Sequence, residues 1–403
     1  MKIIQVNKFL YPKGGADKYC LTLIEELSKQ GETIIPFGMA DHRNIKSSWQ
    51  EYFSENIDYH QAGNYFKIAT RLIWNQEAAA KFAALLDKTK PGLIHAHNIY
   101  HQLSPAILVE AKKRKIPVVM TLHDYKLACP NYLMFSHGQN CERCLGGNYL
   151  NCLTHNCYNS YARSGLAALE SFLHNKVWHI YRDNVDLFIA PSNYLKGIMI
   201  KAGWSADKIE VLINPAPTYT PSTEDNNRLL YLGRLSLEKG LKTLLEALKF
   251  NNESLDIVGT GPDEAKLKEL CTKLELNNRV SFHGFLNGEA LEKIKRSAKA
   301  IVLPSLWAEN MSLVLLESLS CGKLVIASNT GGSPELIVDK QTGFLFEAGN
   351  VDQLNEKIKA LNELTKQQKE EFQGKIKIKI EPLNLSKHLE RLKIIYQKLT
   401  TSK

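Results

Sequence analysis

Short runs of apolar, often β-branched residues alternate along the chain with longer stretches whose apolar positions recur every three or four residues. The short runs predict strands at Lys2–Val6, Thr33–Phe37, Leu93–His97, Val118–His123, Leu187–Ala190 and Ile209–Ile213. A second set follows at Leu229–Leu232, Leu255–Val258, Val280–His283, Ala300–Leu303, Leu324–Ala327 and Gly343–Phe346. Most of these runs are apolar on consecutive positions, as in parallel strands covered on both faces. Helices are expected between them over Ala16–Gln30, Gln102–Lys115, Gly240–Leu248, Pro262–Leu274 and Asn310–Cys321. Strand–helix–strand repetition of this kind winds parallel sheets through right-handed crossovers.

Six strands followed by six more predict an α/β protein of two doubly wound, Rossmann-like domains, residues 1–213 and 228–381. The stretch 214–227, NPAPTYTPSTEDNN, has the Pro, Thr and Asn content of a linker. A last helix, Leu385–Leu399, follows the breaker Glu381-Pro382 within a tail of residues 382–403 and is free to leave the second domain and cross back to the first. Residues 129–157 fit neither strand nor helix and read as an insertion in the first domain. A length of 403 residues suits two domains of roughly 200 each. With 44% hydrophobic and 23% charged residues, each half can bury an ordinary core.

Charge narrows the classes of partner. The net charge is +9, and the excess sits mainly before residue 200, with one compact run, Lys112-Lys113-Arg114-Lys115. A solvated helix end accounts for that run most simply; an anionic surface or substrate is the alternative. No nucleic-acid partner is expected, because no recognised module or basic-aromatic stripe accompanies the charge. No run approaches the roughly 18 apolar residues of a membrane span. The first apolar stretch begins at Ile3 and reads as a buried strand, not a cleavable leader, so a cytoplasmic location is expected.

Three features of the second half carry candidate chemistry. Gly233-Arg234-Leu235-Ser236-Leu237-Glu238-Lys239-Gly240 follows a strand and opens a helix. Ligands of wound sheets bind outside the carboxyl ends of strands. Arg234 and Lys239 there would suit a diphosphate, one as a bidentate fork and one as a point charge. Gly259-Thr260-Gly261-Pro262 after the next strand is a turn that can admit an anion or a ribose, or serve backbone geometry alone. Glu309 and Glu317, eight positions apart in AENMSLVLLES, could touch opposite ends of one ligand. The plainer reading is a helix N-terminal carboxylate and a surface glutamate.

In combination, GRLSLEKG, VGTGP, FHGFL, LPSLWAENMSLVLLES, SNTGGSPELI and GFLF closely resemble the retaining glycosyltransferases of family 4, which have the GT-B fold, two Rossmann-like domains facing a central cleft. Gly14-Gly15-Ala16-Asp17, His123-Asp124 and Ala190-Pro191-Ser192 agree with that family in the first half. The resemblance implies transfer of a sugar from a nucleoside diphosphate sugar to a glycan or lipid-linked glycan acceptor in bacterial surface polysaccharide synthesis, with no catalytic cofactor. A GT-B epimerase or hydrolase, or a non-catalytic sugar-nucleotide-binding partner, is the alternative. By the same resemblance Arg234 and Lys239 would neutralise the leaving diphosphate and Glu317 would hold the ribose. Glu309 would face the transferred sugar, with His123 near the sugar or acceptor. Gly14, Gly15 and Gly259 would let backbone close on the donor, and Asn310, Met311, Ser312 and Leu313 would line it, chiefly through backbone N–H groups. Where the family commonly has Pro-Phe-Gly, this chain has Asn310-Met311-Ser312, so altered side chains are expected on the wall facing the sugar.

Two features of the first half remain. Cys129, Cys141, Cys144, Cys152 and Cys157 offer any four thiols to a structural zinc, with His137 and His155 as further candidates; free thiols are the simpler reading. The stretch Tyr65–Leu86 places apolar and basic residues at helical spacing. It predicts either a core helix or one resting on the inner face of a membrane that carries a lipid-linked acceptor.

Overall fold

A computed structural model describes residues 1–56 and 65–401, with side chains after the gap from Ile68 onward. In chain order the first strands are β1 (Lys2–Val6), β2 (Thr33–Phe37), β3 (Leu93–Ala96) and β4 (Val118–Thr121). The pair β5 (Phe135–Ser136) and β6 (Gln139–Asn140) forms a small hairpin, followed by β7 (Leu187–Ala190) and β8 (Ile209–Val211). The second half contributes β9 (Arg228–Leu232), β10 (Ser254–Val258), β11 (Val280–Phe282), β12 (Ala300–Leu303), β13 (Val325–Ser328) and β14 (Phe344–Phe346). Two parallel six-stranded sheets result, ordered β2-β1-β3-β4-β7-β8 and β11-β10-β9-β12-β13-β14. Each has its own apolar core, and β1, β3, β4, β12 and β13 are buried almost throughout, which is why their sequences are apolar on both alternations.

The differences from expectation have local causes. β3 and β4 end one and two residues early, leaving His97 and His123 just beyond their carboxyl ends. The helix expected from Gln102 spans Ala106–Lys113, with Pro105 as its N-cap. The helix expected from Asn310 starts at Leu313, because the Ser312 side chain caps it by accepting from the Leu315 N–H. The single helix expected over Tyr65–Leu86 is two, Tyr65–Ile73 and Gln76–Thr89, since Asn75 caps the second and breaks the first. Phe82, Leu85 and Leu86 of that second helix lie in the core, so this half of the stretch is no membrane face.

The linker residues run against the second domain, Thr220 and Ser222 donating to the carbonyls of Ser320 and Cys321. A helix that the apolar pattern had not marked, Lys366–Ile380, packs Phe372, Ile376 and Ile380 into the second core. The chain then turns at Glu381–Leu383, and Leu385–Thr401 returns to the first domain. There Leu389, Leu392, Ile395 and Tyr396 pack with Ile3, Leu23, Leu93 and Ile189. Among the described residues, no helix is long and apolar enough to cross a membrane.

Candidate active site

The loop after β9 is held by backbone-to-backbone packing against the loop after β10. Leu235 N–H donates to the Thr260 carbonyl at 3.0 Å, and Asp263 N–H to the Leu235 carbonyl at 3.0 Å. A Cβ on Gly259 would stand 1.9 Å from the Gly233 carbonyl oxygen, and one on Gly261 2.2 Å from that of Leu235. Glycine at 259 and 261 therefore shapes the Arg234 loop from beneath. Arg234 itself is exposed and forms no ion pair among the described residues.

Lys239 reaches the Glu309 carboxylate at 2.9 Å, and its ammonium lies 5.4 Å from the Trp307 ring centre. Ser305 donates to the same carboxylate. Burial alone would raise the Glu309 carboxyl, but Lys239 and the hydroxyls of Ser305 and Ser312 outweigh it and hold it below its ordinary value. Glu309 is thus held as an anion, three residues before Ser312, the N-cap of the helix Leu313–Ser320. The backbone N–H groups of Asn310, Met311 and Ser312 donate to no protein acceptor among the described residues, so they remain available to a bound anion or hydroxyl.

The side chains of Asn310 and Met311 correct one expectation: they do not form the wall facing the sugar. Asn310 Nδ2 donates to the Leu122 carbonyl at 3.1 Å, and its Oδ1 accepts from Ser192 Oγ at 3.0 Å, both in the first domain. Met311 is buried in the second core. Behind them, Gly331 and Gly332 allow the chain to run flat against the backbone of residues 308–310. A Cβ on Gly331 would stand 2.1 Å from the Glu309 carbonyl oxygen, and Gly332 N–H donates to that oxygen at 2.8 Å.

Glu317, one turn into the helix, accepts from Lys18 of the first domain at 2.7 Å and lies 3.6 Å from Lys295. It lines a cavity of about 340 Å³ with Lys18, Tyr19, Pro215, Pro217 and Leu313. Gly15 sits on this wall too: a Cβ there would be 3.0 Å from Leu313 Cδ1, so the glycine loop of the first domain lies directly against the helix start. Gly14 is the N-cap of the helix Gly15–Lys29.

His123 ends a buried hydrogen-bonded chain. Its Nε2 lies 3.0 Å from His97 Nδ1, whose Nε2 lies 2.9 Å from Gln5 Oε1. Gln5 Nε2 donates to the Tyr396 hydroxyl at 3.4 Å, which lies 2.6 Å from His95 Nδ1. The set is satisfied when Gln5 accepts from His97 and His97 accepts from His123, leaving His123 Nδ1 as a lone pair. Burial, assisted by Lys8, pushes His123 down to about 3, so its imidazole is neutral near pH 7. Tyr396 brings the C-terminal helix into this chain.

Three further bridges join the walls. Asn140 of the cysteine-rich insertion donates to the Leu306 carbonyl at 3.0 Å and accepts from Ala308 N–H at 3.0 Å. Tyr125 donates to the Ala308 carbonyl at 2.6 Å. Glu335 accepts from Asn193 N–H, Asn193 Nδ2 and Tyr194 N–H at 2.9, 2.9 and 2.7 Å, a carboxylate seated on the first turn of Asn193–Lys201. The motif pattern gave no signal for Asn140, Tyr125 or Lys18. The alternation His95-x-His97 on a buried strand was a readable sign of the polar chain behind His123.

The five thiols of the insertion are free; Cys129 hydrogen-bonds with Cys144 and Cys152 with Cys157, while Cys141 contacts Arg143. Among the described residues, no three or more His, Cys, Asp or Glu side chains converge where an ion could sit.

Comparison with known proteins agrees with this geometry. The family model for glycosyl transferases group 1 matches residues 218–375, and that for Glycosyltransferase Family 4 matches residues 13–218, more than half of the chain. A Klebsiella pneumoniae protein described as an uncharacterized 42.6 kDa protein in the cps region is 26% identical over 358 residues, covering 83% of this chain and 87% of the relative. Anabaena HepE in complex with UDP superposes with a TM-score of 0.71 at 20% identity, over 99% of this chain and all of that one. Sucrose-phosphate synthase from Thermosynechococcus elongatus gives 0.74 at 18%, over the whole of both chains. These structures share the GT-B fold. Matched in both halves and in order, the chain belongs to glycosyltransferase family 4 and is a glycosyltransferase.

Proposed function

We propose that the protein transfers a sugar, with retention of anomeric configuration, from a nucleoside diphosphate sugar to a glycan or lipid-linked glycan acceptor during assembly of a bacterial surface polysaccharide. The observation that carries this reading is the charge arrangement around Glu309. An anionic carboxylate paired with Lys239 precedes three backbone N–H groups that have no protein acceptor among the described residues, and Arg234 forms no ion pair among them. Cleavage of the bond between sugar and phosphate leaves negative charge on the diphosphate and positive character on the ring. Arg234, Lys239 and the helix N-terminus stabilise the first, and the Glu309 carboxylate tolerates the second. In the proposed step the acceptor oxygen bonds to the anomeric carbon on the face the diphosphate is leaving, and the acceptor proton passes to a phosphate oxygen. His123, neutral and with Nδ1 free, accepts a hydrogen bond from a sugar hydroxyl. Glu317 takes the ribose once Lys18 releases it.

A uridine donor is the first choice, since HepE is a fold neighbour solved with UDP. The Klebsiella relative in a cps region supports the polysaccharide setting. The test is a thermal-shift screen against UDP, GDP and ADP and their sugar conjugates. At about 100 times its dissociation constant, a ligand adds about 2.7 kcal/mol of stability. One nucleotide and its sugar should raise the melting temperature by several degrees; no shift with any of them would overturn the reading.

A further inference from the structure

The donor chemistry uses one of the two crevices that the topology builds. In a wound parallel sheet the ligand crevice lies beyond the carboxyl ends of the two strands between which the winding reverses. In the second sheet those strands are β9 and β12, which carry the Arg234 loop and residues 305–309. In the first sheet they are β1 and β3, with β4 beside β3. Lys8 follows β1, residues 98–101 follow β3, and Asp124 follows β4. The base of this crevice is tied together, Lys8 N–H donating to the Asn98 carbonyl at 3.1 Å and Asn98 N–H to Asn7 Oδ1 at 3.2 Å.

Several polar atoms here are left unused by the protein. Lys8 is half-buried and its ammonium forms no ion pair among the described residues; burial lowers it, while Asp124 and Asp17 pull the other way. The Asp124 carboxylate accepts from one protein donor among the described residues, the Lys126 N–H at 2.9 Å. Burial raises the Asp124 carboxyl, opposed by that N–H and by the ammoniums of Lys8 and Lys126. Asn98 Oδ1 and the Tyr100 hydroxyl are enclosed without a hydrogen-bond partner among the described residues, and Asp124 acts on the latter. On the open side stands Tyr132, 38% exposed, whose hydroxyl lies in the fields of Asp124 and, across the cleft, of Arg234 and Glu238. Its backbone is pinned there: the carbonyl accepts from Tyr125 N–H at 3.0 Å, and the N–H donates to the Cys129 carbonyl at 2.9 Å. A carboxylate, an ammonium, an amide oxygen and phenol rings interleave donors with acceptors, which is the lining that vicinal hydroxyls require.

The charges at the crevice balance. Lys8 and the exposed Lys13, whose Nζ lies 4.1 Å from the Phe9 ring centre, face Asp124 and the buried Asp17, which accepts from Asn7 Nδ2 at 2.8 Å. Deeper in, Lys126 and Glu170 pair with each other at 2.8 Å. Burial lowers His101 to about 4 and His123 to about 3, so both are neutral near pH 7. Arg234 and Glu238 across the cleft again carry one charge of each sign. An ionised ligand would be desolvated here with no surplus charge to receive it, whereas an uncharged polyol meets no such cost. Given the proposed transfer, on which this rests, we infer that the crevice beyond β1, β3 and β4 is the subsite for the terminal sugar of the acceptor, that this sugar is uncharged, and that Asp124 accepts a hydrogen bond from its attacking hydroxyl. The proton of that hydroxyl still passes to the departing phosphate oxygen as the acceptor oxygen bonds to the anomeric carbon, so Asp124 orients the oxygen and ends the step ionised. Lys8 keeps the carboxylate ionised, and Tyr132 covers the sugar from solvent. Asp124 adjoins His123 in the chain, so donor and acceptor sugars meet at neighbouring residues.

The test is saturation-transfer NMR of the full chain, with its donor site filled by the nucleotide that the thermal screen selects. The probes are methyl glucoside, methyl galactoside, methyl N-acetylglucosaminide and the charged methyl glucuronoside. At least one neutral glycoside should bind, and more tightly than the glucuronoside. Asp124→Asn and, separately, Lys8→Met should each raise its dissociation constant at least about tenfold, while the melting shift produced by the nucleotide persists and shows that the variant is folded. With that shift intact, preference for the glucuronoside, no binding of any neutral glycoside by the wild type, or binding unchanged in both variants would each overturn the inference. Absence of the nucleotide shift in the wild type would overturn the proposed transfer itself, and the acceptor subsite with it.

Discussion

The two walls of the cleft are built on different plans. The second-domain wall is a set of loops at strand ends whose backbones pack on one another through glycine, with few side chains spent on holding them. Of its charged groups, Arg234 is consequently exposed, while Lys239 and Glu309 pair with each other. The first-domain wall is a web of side chains: the chain from Tyr396 through Gln5 and His97 to His123, and the bridges from Asn140, Tyr125 and Ser192 to the opposite wall. One wall supplies charge, and the other supplies position. Chemistry that must stabilise developing charge needs both, since a preorganised charge is useful only where the substrate is held.

Variants separate the two contributions. Lys239→Ala removes a cation from the charged wall and strands Glu309, and kcat should fall by about 10³-fold, read by steady-state kinetics with the donor that the thermal screen selects. A loss under about tenfold would place the charge function elsewhere. Acid should act mainly on the positioning wall. Burial lowers His95, His97 and His123, and lowers His388 to about 4. Their unfolded forms bind protons below about pH 6.5 while the folded forms do not. Stability should therefore be full above that value and decline as pH falls from 6.5 toward 4, by up to about 1.4 kcal/mol per histidine for each pH unit. Urea unfolding at pH 7 and pH 5 measures this, and equal stabilities would show that the histidines are not buried neutral. Asn140→Ala removes two hydrogen bonds to the loop before Glu309, and should lower kcat about tenfold with little change in the donor dissociation constant. Tyr396→Phe leaves His95 Nδ1 without its donor, and should cost about 1–3 kcal/mol of stability while the donor still binds.

The same contrast decides what could be read in advance. Strands and their order along the chain followed from runs of apolar residues, and the charged wall from Arg234, Lys239, Glu309 and Glu317, because each belongs to a local pattern of residue types. The positioning wall joins residues hundreds of positions apart: Gln5 and Tyr396 meet only once the last helix has crossed back, and Asn140 finds Leu306 only once the domains face each other. Such partners have no local periodicity. Caps were misjudged for a related reason. Ser312 and Asn75 each set a helix start by one side-chain hydrogen bond, which apolar spacing does not register. The substitution of Asn310-Met311-Ser312 for a commoner triplet looked like a change in the sugar-facing wall, yet Asn310 is an inter-domain tie.

Arg234 offers the most direct measurement. Its side chain is exposed and has no ion-pair partner among the described residues, so replacing it costs the fold little. Turnover of the selected donor by Arg234→Ala, with melting temperature measured alongside, isolates its action on the ligand. The account predicts a loss of at least about 100-fold in kcat with an unchanged melting temperature of the free protein. An Arg234→Ala enzyme that turns over at the wild-type rate would contradict it.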